Sequence, residues 1–173
     1  MDEIAEARGI DPVKHALQML GKDLNLEFKP ETDGKYENYG EPIESFPWNT
    51  GRMKKVIERV AKEANWDQKL AEGKAVGFAA HKSFLTYVAC IVVVEKDSSG
   101  KISIPEVFYA VDCGIGVNTD RIRSQFEGGA QFATSLATTS AITFENGIPQ
   151  QNNFDGYQII RMPQSPKKIH VHI

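Results

Sequence analysis

Between residues 75 and 140 the period of the chain changes, and that change leaves few folds open. Three runs, Ala75 to Ala80, Leu85 to Glu95 and Ile102 to Val111, are rich in β-branched and aromatic residues, as strands are. Lys96-Asp97-Ser98-Ser99-Gly100 joins the latter two as a hairpin. The triplet Val92-Val93-Val94 reads as a strand covered on both faces. The period then becomes helical. Ile122, Phe126, Gly129, Ala133, Leu136 and Ala137 form a stripe, capped by Asn118 or Thr119 and running to about Ser140, while Gln125, Gly128 and Gln131 lie on a polar second face. Locally paired strands followed by one long helix predict an α+β fold, with a mixed or antiparallel sheet packed against a long helix.

Upstream, residues 1–21 predict two short helices. The second starts at Asp11-Pro12, carries Val13, Ala16, Leu17 and Leu20, and stops at Gly21. Residues 25–50 lose periodicity and read as a long connector, with Phe46 and Trp48 available to pin it to a domain. Residues 52–65 predict a helix with Met53, Val56, Ile57, Val60 and Ala64 inward and a solvated charged face. The expected organisation is a helical segment at 1–24, a connector at 25–50 and an α+β unit at 51–173. Late in the chain, Glu145-Asn146-Gly147 joins a last short hairpin. Ile169 to Ile173 is strand-like up to the terminus, which reads as a cut chain or an edge that continues.

Composition excludes several classes. With 41% hydrophobic and 25% charged residues, the chain is neither low-complexity nor disordered in type. Residues 1–72 hold 11 Lys and Arg against 15 Asp and Glu, and the remainder holds 9 against 8, so neither half offers a nucleic-acid surface. The longest apolar stretch, Leu85 to Val94, is half of a bilayer span. The acidic start, Met1-Asp2-Glu3, is unlike a secretory signal, and localisation is not indicated. Cys90 and Cys113 are too few for a disulfide scaffold.

The richest chemistry lies in Ala110 to Asp120, where a strand enters a glycine-rich turn and then a capped helix. Such a turn leaves backbone N–H groups and a positive dipole end available to an anion, although Gly114-Ile115-Gly116 lacks a full dinucleotide-binding spacing and also fits a plain strand-to-helix connection. Gly128-Gly129 lowers helix propensity by about 2 kcal/mol relative to alanine. Something therefore packs closely there, either another backbone or a flat ligand lying beside Gln125. Glu127, next to Phe126, reads as half-buried and structural. Cys113 reads as a small core residue, His81 as a turn histidine with a ligand-facing alternative, and His170 with His172 as an edge strand lacking a third metal ligand.

Taken together, Ala110-Val111-Asp112-Cys113-Gly114, Val117-Asn118, Gln125-x-Glu127-Gly128-Gly129, Gln151-x-Asn153-Phe154-Asp155-x-Tyr157 and Arg161-Met162 resemble the molybdenum-cofactor-binding large subunit of the xanthine dehydrogenase and aldehyde oxidase family. The isoquinoline 1-oxidoreductase beta-subunit branch is the nearest. Gly9-Ile10-Asp11-Pro12-Val13 and Ala79 to Ala89 fit the same branch. The resemblance implies an oxidoreductase that hydroxylates an N-heterocycle or aldehyde with oxygen from water, passing electrons to a separate iron–sulfur small subunit. It implies molybdopterin cytosine dinucleotide as cofactor in the full-length protein, with Gln125 touching the pterin, Gly128 and Gly129 allowing close approach, and Gly114 and Asn118 supporting the dinucleotide or nearby loops.

Family members are several times longer, and their catalytic glutamate lies in a Gly-Glu-Pro context beyond the matched motifs. Gly40-Glu41-Pro42 stands upstream of those motifs and is read as coincidence. No catalytic or metal-ligating residue is therefore assigned, and the expectation is a part that is inactive alone and works with the remaining domains of the large subunit. The alternatives are a non-catalytic binding or assembly module of the same fold, and a small self-sufficient enzyme using Cys113 and His81.

Overall fold

A computed structural model describes residues 1–29 and 41–173. The middle of the expected connector, and Gly40 of the Gly-Glu-Pro tripeptide, lie outside the described residues.

The N-terminal helices are α1 (Asp2–Ala7) and α2 (Pro12–Leu20). Asp11 caps α2 by accepting a hydrogen bond from the Lys14 amide at 2.9 Å, and Gly21 ends it at φ +63°. The two ends of the connector are tied together. Asn25 bridges Asn49, the Leu26 amide donates to the Trp48 carbonyl at 2.8 Å, and the Trp48 ring meets Tyr87 edge-on at 5.7 Å. Helix α3 (Thr50–Glu63) follows directly, capped by the Asn49 side chain.

Strands β1 (Lys74–Ser83), β2 (Thr86–Lys96) and β3 (Ile102–Asp112) form an antiparallel meander. Helix α4 (Thr119–Thr138) leads to the two-residue strands β4 (Phe144–Glu145) and β5 (Ile148–Pro149), and the chain returns as β6 (Lys168–His172). Strand β6 pairs parallel to β3, so the main sheet is mixed, in the order β1-β2-β3-β6. Of the expected mixed or antiparallel sheet, the chain forms the mixed one, with the long helix packed on it and short helices before it.

Helix α3 builds the core. Met53, Val56, Ile57 and Val60 pack on Tyr87, Ala89, Ile91 and Ala110, with Val13 of α2 completing the cluster. The long helix α4 lies on the opposite face of the sheet, near β3 and β6, where Phe126 meets Tyr109 at 5.3 Å. Coverage of that face is partial. Val93 is buried but Val92 and Val94 are only half-buried, which corrects the expectation of a strand covered on both sides.

The stripe on α4 is corrected as well. Ile122 and Phe126 turn toward the protein, but the buried positions beyond them are Ala130, Thr134 and Ser135, while Gly129, Ala133, Leu136 and Ala137 are exposed. Ser135 is held by the returning chain, since its Oγ accepts from the Ile160 amide at 3.1 Å. Among the described residues, no helix is long and apolar enough to cross a membrane.

Candidate functional site

Strand β3 delivers the chain to the site. Its last residue, Asp112, accepts a hydrogen bond from the Gly114 amide at 3.1 Å, and Gly114 adopts φ +75°, a conformation that favours glycine. Asn118 then caps α4, its Oδ1 accepting from the Arg121 amide at 2.9 Å. That bond occupies the oxygen of the carboxamide and not its Nδ2 donor.

At 100° per residue, Arg121, Gln125, Gly128, Gly129, Phe132 and Leu136 fall on one face of α4. All six are exposed, Phe132 at 66% and Leu136 at 50%. A Cβ added at Gly128 or Gly129 would meet no atom within 4 Å. The close approach expected at these glycines is therefore not made by any described part of this chain. The face is smooth at its centre, apolar at its C-terminal end, and offers one carboxamide with both donor and acceptor capacity. Glu127 is exposed rather than half-buried, lying outside the inward positions Ile122, Phe126 and Ala130.

Two cavities flank the Gly114 turn. One, of about 410 Å³, lies between Phe46, Arg52, Lys82, Phe84, Tyr87 and Ile115. The other, of about 240 Å³, lies between α3 and the C-terminal strand, with Arg59, Cys113 and His172 in its wall. Gly114 borders both, whereas Gln125, Gly128 and Gly129 border neither. The five residues expected to bind cofactor thus form two neighbouring groups along the chain, Gly114 with Asn118 on the turn and the other three on the helix face.

Sequence reasoning missed Arg52. Its Nε donates to Asp112 Oδ2 at 2.7 Å and its Nη2 to Asp112 Oδ1 at 2.6 Å, and its guanidinium lies 4.6 Å from the centre of the Tyr87 ring. The hydrogen bond with Asp112 raises the Arg52 pKa, and the same bond holds the Asp112 carboxyl below the usual carboxylate range. The partners are 60 residues apart, so no local pattern announces them.

The nucleophile alternative has no geometry behind it. His81, Val88 and Val111 are in register across three strands, which sets His81 about 10 Å from β3, and Cys113 lies beyond the end of that strand. Burial pushes the Cys90 thiol up to about 11, against a hydrogen bond with Tyr109. His170 stacks on Phe108 with ring centres 4.5 Å apart and meets Glu106 at 3.2 Å, while His172 faces Glu63 at 3.8 Å. Each imidazole thus has a carboxylate neighbour of its own.

Residues 12–166 match the family described as molybdopterin cofactor-binding domain. The chain is 31% identical to isoquinoline 1-oxidoreductase subunit beta of Brevundimonas diminuta over 122 residues, covering 68% of this chain and 16% of that protein. It is 25% identical to a membrane-bound aldehyde dehydrogenase of Gluconacetobacter polyoxogenes, named for pyrroloquinoline quinone, over 174 aligned positions that cover 96% of this chain and 21% of that protein. Among solved structures, quinoline 2-oxidoreductase from Pseudomonas putida 86 is similar with a TM-score of 0.47 and 21% identity, over 51% of this chain and 12% of that one. The chain spans about a fifth or less of the length of these proteins.

Proposed function

The chain belongs to the molybdopterin cofactor-binding domain family, and from that premise we propose that it supplies one wall of the cofactor site of a molybdenum hydroxylase. One observation carries the reading. The outward face of α4 holds Gln125 and two adjacent glycines, and nothing described in the chain uses the room those glycines leave. Two helix-interior glycines cost about 2 kcal/mol of propensity, and the benefit lies with something that comes from outside.

A flat pterin fits such a surface. Gly128 and Gly129 let a ring system approach the helix backbone, and the Gln125 carboxamide can both donate to and accept from a ring edge. Gly114 and Asn118 border the turn that leads to this face, and we assign them to the dinucleotide portion or to the loops that hold it. Phe132 and Leu136 extend the same face as an apolar surface, suited to the remaining domains of a larger polypeptide.

When bound, the molybdenum cofactor supplies the redox centre at which an electron-poor carbon is hydroxylated. The chain's own residues bind and orient it, and none is assigned to a proton or bond-making step. The cytosine dinucleotide form, N-heterocycle or aldehyde substrates, and an iron–sulfur partner subunit complete the proposal. All of them are supported by the resemblance to the isoquinoline branch, and the N-heterocycle substrate also by the name of the relative that is 31% identical.

Because one wall leaves a ligand open to water on its other side, the isolated 173-residue chain should retain little pterin or molybdenum. The polypeptide encoded by the complete reading frame should retain both stoichiometrically. Measuring both contents in the two preparations tests this. Stoichiometric molybdenum in the isolated chain, or none in the longer polypeptide, would overturn the reading.

A further inference from the structure

The turn between β3 and α4 is exposed, with Ile115 at 91% and Val117 at 92%, so apolar packing does not hold it. Its polar anchor is the Asp112 carboxylate, which accepts from the Gly114 amide at 3.1 Å. That carboxylate is itself gripped by both arms of the Arg52 fork, at 2.6 and 2.7 Å. Arg52 is in turn fixed at two further points. Its backbone amide donates to the Asn49 cap of α3 at 2.8 Å, and its guanidinium lies over Tyr87. Tyr87 is fully buried, and its hydroxyl accepts from the Asn49 amide at 2.7 Å and donates to the Pro47 carbonyl at 3.2 Å. A continuous path of hydrogen bonds and ring contact thus runs from the start of α3 to the Gly114 amide.

We propose that Arg52 is a positioning residue, acting through Asp112 to hold the Gly114 turn in the conformation it presents to the cofactor. The role in cofactor presentation rests on the cofactor-wall reading, whereas the coupling between Arg52 and the turn does not. An ordinary surface ion pair would have no such consequence, because a single flexible contact contributes little and orients nothing. Here the planar fork makes two parallel bonds while the ring fixes its plane, and a lysine provides neither.

Amide hydrogen exchange, followed by NMR on the whole 173-residue chain, reads the coupling directly. In Arg52→Met, which frees the Asp112 carboxylate, and in Asp112→Asn, which leaves a neutral and weaker acceptor, the Gly114 amide should exchange several-fold faster. The double variant should add nothing to either single change. Arg52→Lys keeps the charge and is the variant least disturbing to the fold, and it should still exchange several-fold faster at Gly114. The amides of Ala89 and Ile91, in the central strand, should stay at their wild-type rates. Wild-type exchange at Gly114 in Arg52→Lys and Arg52→Met, or equal acceleration at Ala89 and Ile91, would overturn the proposal. No cofactor enters this measurement, so its failure is distinct from a failure of the longer polypeptide to bind pterin.

Discussion

Asp112 joins two parts of the molecule that local sequence leaves unrelated, and its titration should show it. The hydrogen bond from Arg52 lowers the carboxyl pKa, opposed by partial burial. A carboxyl whose folded pKa lies below its unfolded value of about 3.9 contributes stability that is fully present above that value. The contribution is lost as pH falls through the depressed folded pKa. Urea unfolding of wild type and Asp112→Asn should therefore show a stability gap that is constant near neutrality and closes toward strong acid. With both side chains about one-third exposed, the gap should be about 1 kcal/mol or less. A gap of the same size at the lowest pH would contradict this. At this scale the sequence was legible where a residue acts on its neighbours, as with the caps Asp11 and Asn118. It was silent where the partner sits 60 residues away, as with Arg52.

Helices α3 and α4 should respond to substitution in opposite ways. Ile57 on α3 is 1% exposed in the centre of the core, so Ile57→Ala should lower stability by about 2–5 kcal/mol in urea unfolding. On α4, a Cβ at Gly128 or Gly129 meets nothing within 4 Å. Gly128→Ala should raise the stability of the isolated chain by about 0.5–1 kcal/mol, while reducing pterin retention in the longer polypeptide. Loss of stability in the isolated chain would show that its own atoms pack against that glycine. Helical periodicity located α4 and its cap, and it selected Ile122 and Phe126 correctly as inward. It failed at Ala133, Leu136 and Ala137 because a period shows that apolar residues share a face, not that their partner belongs to the same chain. The same limit explains Val92 and Val94, whose composition suits full burial and whose covering is only partial.

For the whole molecule, the meander β1-β2-β3 could be read from strand patterns and short turns. The parallel return of β6 could not, because it joins residues 106–110 to 168–172 through a crossover that carries no local signal. The surface proposed for the cofactor is a set of motifs in the sequence, and its shape is not carried by them. Gln125, Gly128 and Gly129 line neither of the cavities that border Gly114, and their face closes only against something beyond the described residues. Such a surface suits a chain that spans 16% and 21% of two relatives, and on the proposed reading binding belongs to the assembly. The most direct test is a hydrogen-exchange footprint, by mass spectrometry, of the longer polypeptide with and without molybdopterin. Bound cofactor should slow exchange in peptides covering Gly114 to Asn118 and Gln125 to Leu136, leaving β1 unchanged. Cofactor binding that slows exchange elsewhere and leaves both of those peptides at their unbound rates would contradict the account.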